Sequence, residues 1–170
     1  ADILAPSDMM DGRVGRIRQS LEKKEYHDTM IMSYAAKYSS SLYGPFREAV
    51  NAGKLVEPKN KKSYQMDIAN IDEALHEIAM DISEGADMIM IKPGLPYLDV
   101  ISKAKELFSM PTFAYQVSGE YSMIMSAVEK NHLEELDTIL ETMFCFKRAG
   151  ADGIFTYFAP KLLNSLSNIK

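Results

Sequence analysis

Five short apolar runs, each separated from the next by a longer stretch of helical period, constrain this chain more than any other feature. They cover residues 3–5, 30–34, 88–91, 112–117 and 154–158. Each run is almost continuously apolar, as a strand covered on both faces must be. Between them, Val14, Ile17, Arg18 and Leu21 mark one helical face, and Ala74, Leu75, Ile78, Ala79 and Ile82 mark another. Further helices are expected near 97–108, 120–130, 134–149 and 160–168. This alternation predicts an α/β fold built on a parallel sheet or barrel. The 170 residues suit one domain with a real core.

An internal repeat sharpens the prediction. Gly85-Ala86-Asp87 and Gly150-Ala151-Asp152 each close a helical stretch and open a strand. Glycine suits the left-handed residue that ends a helix, and alanine allows close packing of helix on strand. Ala1-Asp2 repeats the pair without its glycine, so the chain is expected to begin in the middle of a fold. Five βα units are too few to close an eight-stranded barrel. If the fold is a barrel, residues 1–170 form the C-terminal part of a single domain.

Charge and composition exclude several functions. A net charge of −5 argues against a general binder of nucleic acid or of an anionic membrane surface. No apolar run approaches ~18 residues, so no transmembrane helix is expected, and no signal-peptide pattern opens the chain. The single cysteine, Cys145, rules out an internal disulfide framework and fits a reducing compartment, here the cytoplasm. Residues 51–63 are polar, aperiodic and lysine-rich, which suits either a lid over a site or a solvated linker.

In parallel α/β folds the reactive groups gather beyond the C-terminal ends of the strands. The first exit offers Ser7, Asp8 and Asp11, the second Lys37, the third Lys92, the fourth Ser118-Gly119-Glu120, and the fifth Tyr157. Lys92 follows four large apolar residues and precedes a proline. Burial there would favour the neutral amine that Schiff-base chemistry needs, and Lys37 supplies a second cation to the same effect. A lysine snorkelling from its strand end is the competing reading. Ser118 is placed either to cap a helix or to present an anion site at its N-terminus. Arg47 follows a Gly-Pro turn and suits carboxylate recognition, or is a plain surface cation. Glu84 stands near a helix C-terminus, where the dipole disfavours an acid. It therefore needs a cation partner or open solvent.

These residues lie in stretches that resemble the porphobilinogen synthase (δ-aminolevulinic acid dehydratase) family. The matching stretches are 5–14 (APSDMMDGRV), 33–37 (SYAAK), 42–47 (LYGPFR), 61–66 (KKSYQM), 84–87 (EGAD), 91–99 (IKPGLPYLD), 115–121 (YQVSGEY) and 148–152 (RAGAD). The resemblance runs from end to end. It implies the C-terminal part of a (β/α)8 barrel, condensing two 5-aminolevulinate molecules into porphobilinogen through lysine Schiff bases. By position, Lys92 matches the lysine that binds the first substrate covalently and Lys37 the one that engages the second. Ser118 and Tyr157 match one carboxylate clamp, and Arg47, Lys61 and Gln65 the other. Tyr43 and Phe46 match pocket-closing residues, Ser7 and Asp8 the floor, and 51–63 the lid. Glu84 matches a glutamate that helps hold an allosteric Mg2+, largely through waters. The family assembles as a homo-octamer.

The family's N-terminal arm, first strands and active-site metal region, where zinc-dependent members carry cysteines, have no counterpart in these residues. The zinc question therefore stays open, and the 170 residues alone are expected to lack turnover and to self-pair or aggregate through open sheet edges. Two other readings fit the same scaffold. One is a class I aldolase-like Schiff-base lyase, and the other a non-catalytic barrel fragment.

Overall fold

The computed structural model describes residues 1–50 and 61–167. The first βα segment contains β1 (Ile3–Leu4), α1 (Arg13–Lys23) and β2 (Met30–Lys37), and a 3-10 turn (Ser41–Tyr43) then leads into α2 (Gly44–Ala49). After the second described segment begins come α3 (Ile71–Ser83), β3 (Met88–Lys92), a 3-10 turn (Leu95–Tyr97) and α4 (Leu98–Phe108). The chain continues through β4 (Thr112–Tyr115), α5 (Ser118–Glu129), α6 (Glu135–Ala149), β5 (Gly153–Phe155) and α7 (Ala159–Ser167). The loop expected over 51–63 falls outside the described residues except for 61–63.

The strands form one parallel sheet in the order β1-β2-β3-β4-β5. A doubly wound sheet reverses its order at a switch point, whereas a barrel adds each new strand beside the last. The sequential order therefore marks a curled part of a (β/α)8 barrel, as the sequence predicts. Ile89 and Ile91 of β3 pack with Ala36 and Ala114 of its neighbours against Ala74 and Ile78 of α3, Ile101 of α4 and Phe146 of α6. Side chains alternate along a strand, so Met90 and Lys92 take the opposite face, the barrel interior.

The repeat seen in the sequence is a repeated structural device. Gly85 and Gly150 both adopt positive φ (106° and 103°), closing the helices before β3 and β5. The Asp87 carboxylate then accepts from Ile31 N (2.7 Å) and from Arg18 of α1. Two units later Asp152 accepts from Thr112 N (2.8 Å) and from Lys105 Nζ of α4 (2.7 Å). Each Asp thus ties the N-terminal edge of its own strand to the preceding strand and helix. Lys105 and the Thr112 amide hold the Asp152 carboxyl below the usual aspartate range.

Three strands are shorter than the apolar runs that predict them, β1 ending at Leu4 rather than 5. β4 ends at Tyr115 rather than 117, and β5 ends at Phe155, so Tyr157 lies past the strand. Among the described residues no helix is long and apolar enough to cross a membrane.

Candidate active site

The C-terminal rim of the sheet brings the two lysines together. Lys37 and Lys92 are register partners across β2 and β3. Their pairing depends on an irregularity: Ser33 pairs with Ile89, but Ala36 pairs with Ile91, so β2 carries one extra residue between them. Without that bulge Lys92 would face Ala36, whose side chain belongs to the outer core. The bulge shifts Lys37 into line and turns both amines toward one side.

Tyr34, on the bulged segment, is the surface they share. Its ring centroid lies 5.7 Å from Lys37 Nζ and 5.4 Å from Lys92 Nζ. Lys92 Nζ is also 4.1 Å from the Tyr115 centroid and 5.6 Å from that of Tyr43. The aromatic faces exclude water while returning part of the lost solvation through their quadrupoles. Burial, then the charges of Lys92 and Lys61, lowers the Lys37 amine from 10.5 to about 8, with Asp8 opposing. Burial and the Lys61 charge lower Lys92 as well. Lys37 Nζ donates to the Ser7 carbonyl, so the backbone of Ser7 makes the contact rather than its hydroxyl.

A small cleft opens beside Lys92, lined by Tyr43, Phe46, Tyr115, Val117, Ser118 and Tyr157. Its walls come from three strand exits and α2. Ser118 is the first residue of α5 and does not cap it; instead its Oγ accepts from Phe46 N (3.1 Å). This joint requires Gly119, because a Cβ there would lie 2.4 Å from Leu42 O. The Tyr43 hydroxyl donates to Lys92 O (3.1 Å). At the neighbouring exit, Thr156 donates to Gln116 Oε1 (2.6 Å) and Gln116 N donates to Phe155 O (2.8 Å), linking the segments that carry Ser118 and Tyr157.

Other expected residues lie around this cleft rather than in it. Arg47 stacks over the Tyr43 ring at 5.4 Å. Gln65 is 5% exposed, and its Oε1 has no hydrogen-bond partner among the described residues. Lys61 reaches the lysine pair through its charge. Asp8 pairs with Arg13 Nε (2.8 Å) and borders a separate hollow with Tyr34 and Glu84.

Glu84 departs from both readings of its position. Neither a cation nor bulk solvent satisfies it: Oε1 accepts from Gly12 N (3.0 Å) and Oε2 from Gly15 N (2.9 Å). The carboxylate thus caps the N-terminus of α1, a helix distant in sequence, where the dipole favours an acid. Among the described residues no three His, Cys, Asp or Glu side chains converge as metal ligands. Glu84 alone cannot enclose a cation, but each of its oxygens keeps a lone pair for a metal-bound water.

Sequence reasoning passed over Tyr34 and Tyr115, and named Glu120 only as part of the fourth strand exit, with no role. Tyr115 was discoverable as the last residue of an apolar run beside Lys92, and Tyr34 as the aromatic three residues before Lys37.

A sequential parallel βα arc carrying paired amines at its C-terminal rim defines an amine-bearing (β/α)8-barrel protein. The chain belongs to the delta-aminolevulinic acid dehydratase family, whose model matches residues 1–165. It is 56% identical over 165 residues to the delta-aminolevulinic acid dehydratase of Bradyrhizobium diazoefficiens, covering 97% of this chain and 46% of that protein. It is 58% identical to that of Rhodobacter capsulatus, covering 94% and 48%. The crystal structure of the Toxoplasma gondii ME49 enzyme in complex with the reaction product porphobilinogen superposes with a TM-score of 0.89. That match has 53% identity and covers 94% of this chain and 45% of the other. The chain spans about half the length of the curated relatives it matches.

Proposed function

We propose that this chain, within the complete protein, supplies the amine pair and carboxylate clamps that condense two 5-aminolevulinate molecules into porphobilinogen with loss of two waters. The observation that carries this is the side-by-side pairing of Lys37 and Lys92 over one tyrosine ring, both with lowered affinity for protons. The porphobilinogen bound to the Toxoplasma gondii relative supports the substrate class.

In this reading the neutral Lys92 amine attacks the ketone of the first substrate. The carbinolamine expels water, and the resulting iminium acidifies the adjacent carbon. Lys37 engages the second ketone. Ser118 and Tyr157 hold one carboxylate; Arg47, Lys61 and Gln65 hold the other. Clamping both substrates converts a bimolecular condensation into an oriented one. Tyr43 and Phe46 cover the cleft, Ser7 and Asp8 are the floor on the Lys37 side, and 51–63 serves as the lid that keeps water from the imines. Glu84 is assigned to the water shell of an allosteric Mg2+, apart from the chemistry, in a homo-octamer of the full chain. The proposed compartment is the cytoplasm, although relatives such as that of rice are chloroplastic.

The test is porphobilinogen formation by the full-length protein and its K92M variant. Turnover in the parent and a loss of at least roughly a thousandfold in the variant are expected for a covalent nucleophile. Undiminished turnover in K92M overturns the proposal.

A further inference from the structure

Glu120 has 0% exposure and no ion-pair partner among the described residues, yet it carries a carboxylate. Its oxygens meet three backbone donors. Oε2 accepts from Val117 N (2.6 Å) and Gly94 N (3.2 Å), and Oε1 accepts from Leu95 N (2.6 Å). A glutamate at the third position of a helix ordinarily reaches back to a single amide, here Val117. The two additional donors belong to a different strand exit, the Pro93-Gly94-Leu95 loop that directly follows Lys92.

We propose that Glu120 is a positioning residue that fixes the Lys92 amine relative to the Ser118 end of the carboxylate clamp. The proposal rests on the functional reading above. Val117 adjoins Ser118, and Gly94 is two residues from Lys92, so one buried side chain couples the two ends of the first-substrate site. An acceptor-only group is required: a glutamine amide can turn its oxygen to the Val117 and Gly94 donors or to Leu95, and its NH2 then opposes the rest. Burial pushes the Glu120 carboxyl up in pKa while the three amides pull it back. A Cβ at Gly94 would strike the Phe146 ring at 2.5 Å, so glycine lets this loop seat against α6.

The experiment uses full-length wild-type and E120Q proteins, with borohydride trapping at Lys92. The probes are 5-aminolevulinate and the same amino ketone lacking its carboxyl group. A misplaced clamp removes the advantage conferred by the carboxylate but leaves the amine reactive. In folded E120Q the rate ratio between the two ketones should fall roughly tenfold, with trapping of the carboxyl-free ketone kept within about twofold. A merely structural role lowers both rates together. An unchanged ratio overturns the proposal. No adduct with either ketone in the wild type overturns the proposed function itself, a distinct result. Should E120Q not fold, amide exchange in the wild type decides. Slow exchange at Gly94, Leu95 and Val117 together is expected, and fast exchange at Gly94 or Leu95 refutes the coupling.

Discussion

Lys37 and Lys92 sit opposite one another on neighbouring parallel strands, and their nitrogens lie 5.7 and 5.4 Å from the centroid of the same Tyr34 ring. Two like charges in one half-buried place oppose the stability of the fold. Each amine lowers that cost by giving up its proton, which in the proposed reaction also prepares it for a ketone.

The first prediction follows from the sign of that cost. Lys37 binds its proton less tightly when folded (about 8) than at the usual lysine value of 10.5. Below about 8 both states are protonated and the folded state carries the full penalty; between 8 and 10.5 the unfolded chain holds more protons, so stability rises with pH. K37M should therefore raise the melting temperature at pH 7, and its advantage should shrink as pH climbs from 8 toward 10.5. Calorimetric melts across that range check it, and a pH-independent difference would contradict it.

Lys61 acts on both amines. K61M should move the midpoint for borohydride trapping at Lys37 to higher pH. Half a pH step would lower the free-amine fraction at pH 7 about threefold. Mass-mapped trapping rates against pH give the measurement.

Glu84 stabilises α1 through two amides. E84A should cost about 0.5–2 kcal/mol, the range for losing a helix N-cap, and E84Q less because it keeps one acceptor. Denaturant unfolding of the full-length protein reads both.

At Gly119 the backbone of Leu42 leaves no room for a methyl group. G119A should force α5 away from the 3-10 turn, break the Phe46–Ser118 hydrogen bond and raise KM roughly tenfold, the amine chemistry at Lys92 surviving. Steady-state kinetics with 5-aminolevulinate would show the split; an unchanged KM would count against the clamp geometry.

The outer strands leave apolar surface open, with Ile3 of β1 and Phe155 of β5 both exposed. Unpaired strand edges invite association. The 170-residue chain alone should form no porphobilinogen and should elute as self-associated species in size-exclusion chromatography.

Strands, helices and the two lysine exits were legible because hydrophobic period and strand-end position are local properties. The β2 bulge was not: an extra residue within Ser33-Tyr34-Ala35-Ala36 leaves the apolar run intact, yet it decides whether Lys37 faces Lys92. Glu120 was hidden for a related reason. Val117, the residue it caps, is not of the capping type, and only tertiary structure brings Gly94 and Leu95 to it. Glu84 misled because the dipole of its own helix was weighed, while the helix that receives it begins some seventy residues earlier. Capping was one of two readings left open for Ser118, because its side chain is of the capping type, but Glu120 fills that role from within the helix.

The most direct test of the central claim is borohydride reduction of the full-length protein with a single equivalent of 5-aminolevulinate, followed by peptide mass mapping. The account predicts one reduced adduct, on Lys92, with Lys37 labelled only when a second equivalent is added. Turnover proceeding with no adduct on Lys92, or with the first equivalent on a lysine outside this pair, would contradict it.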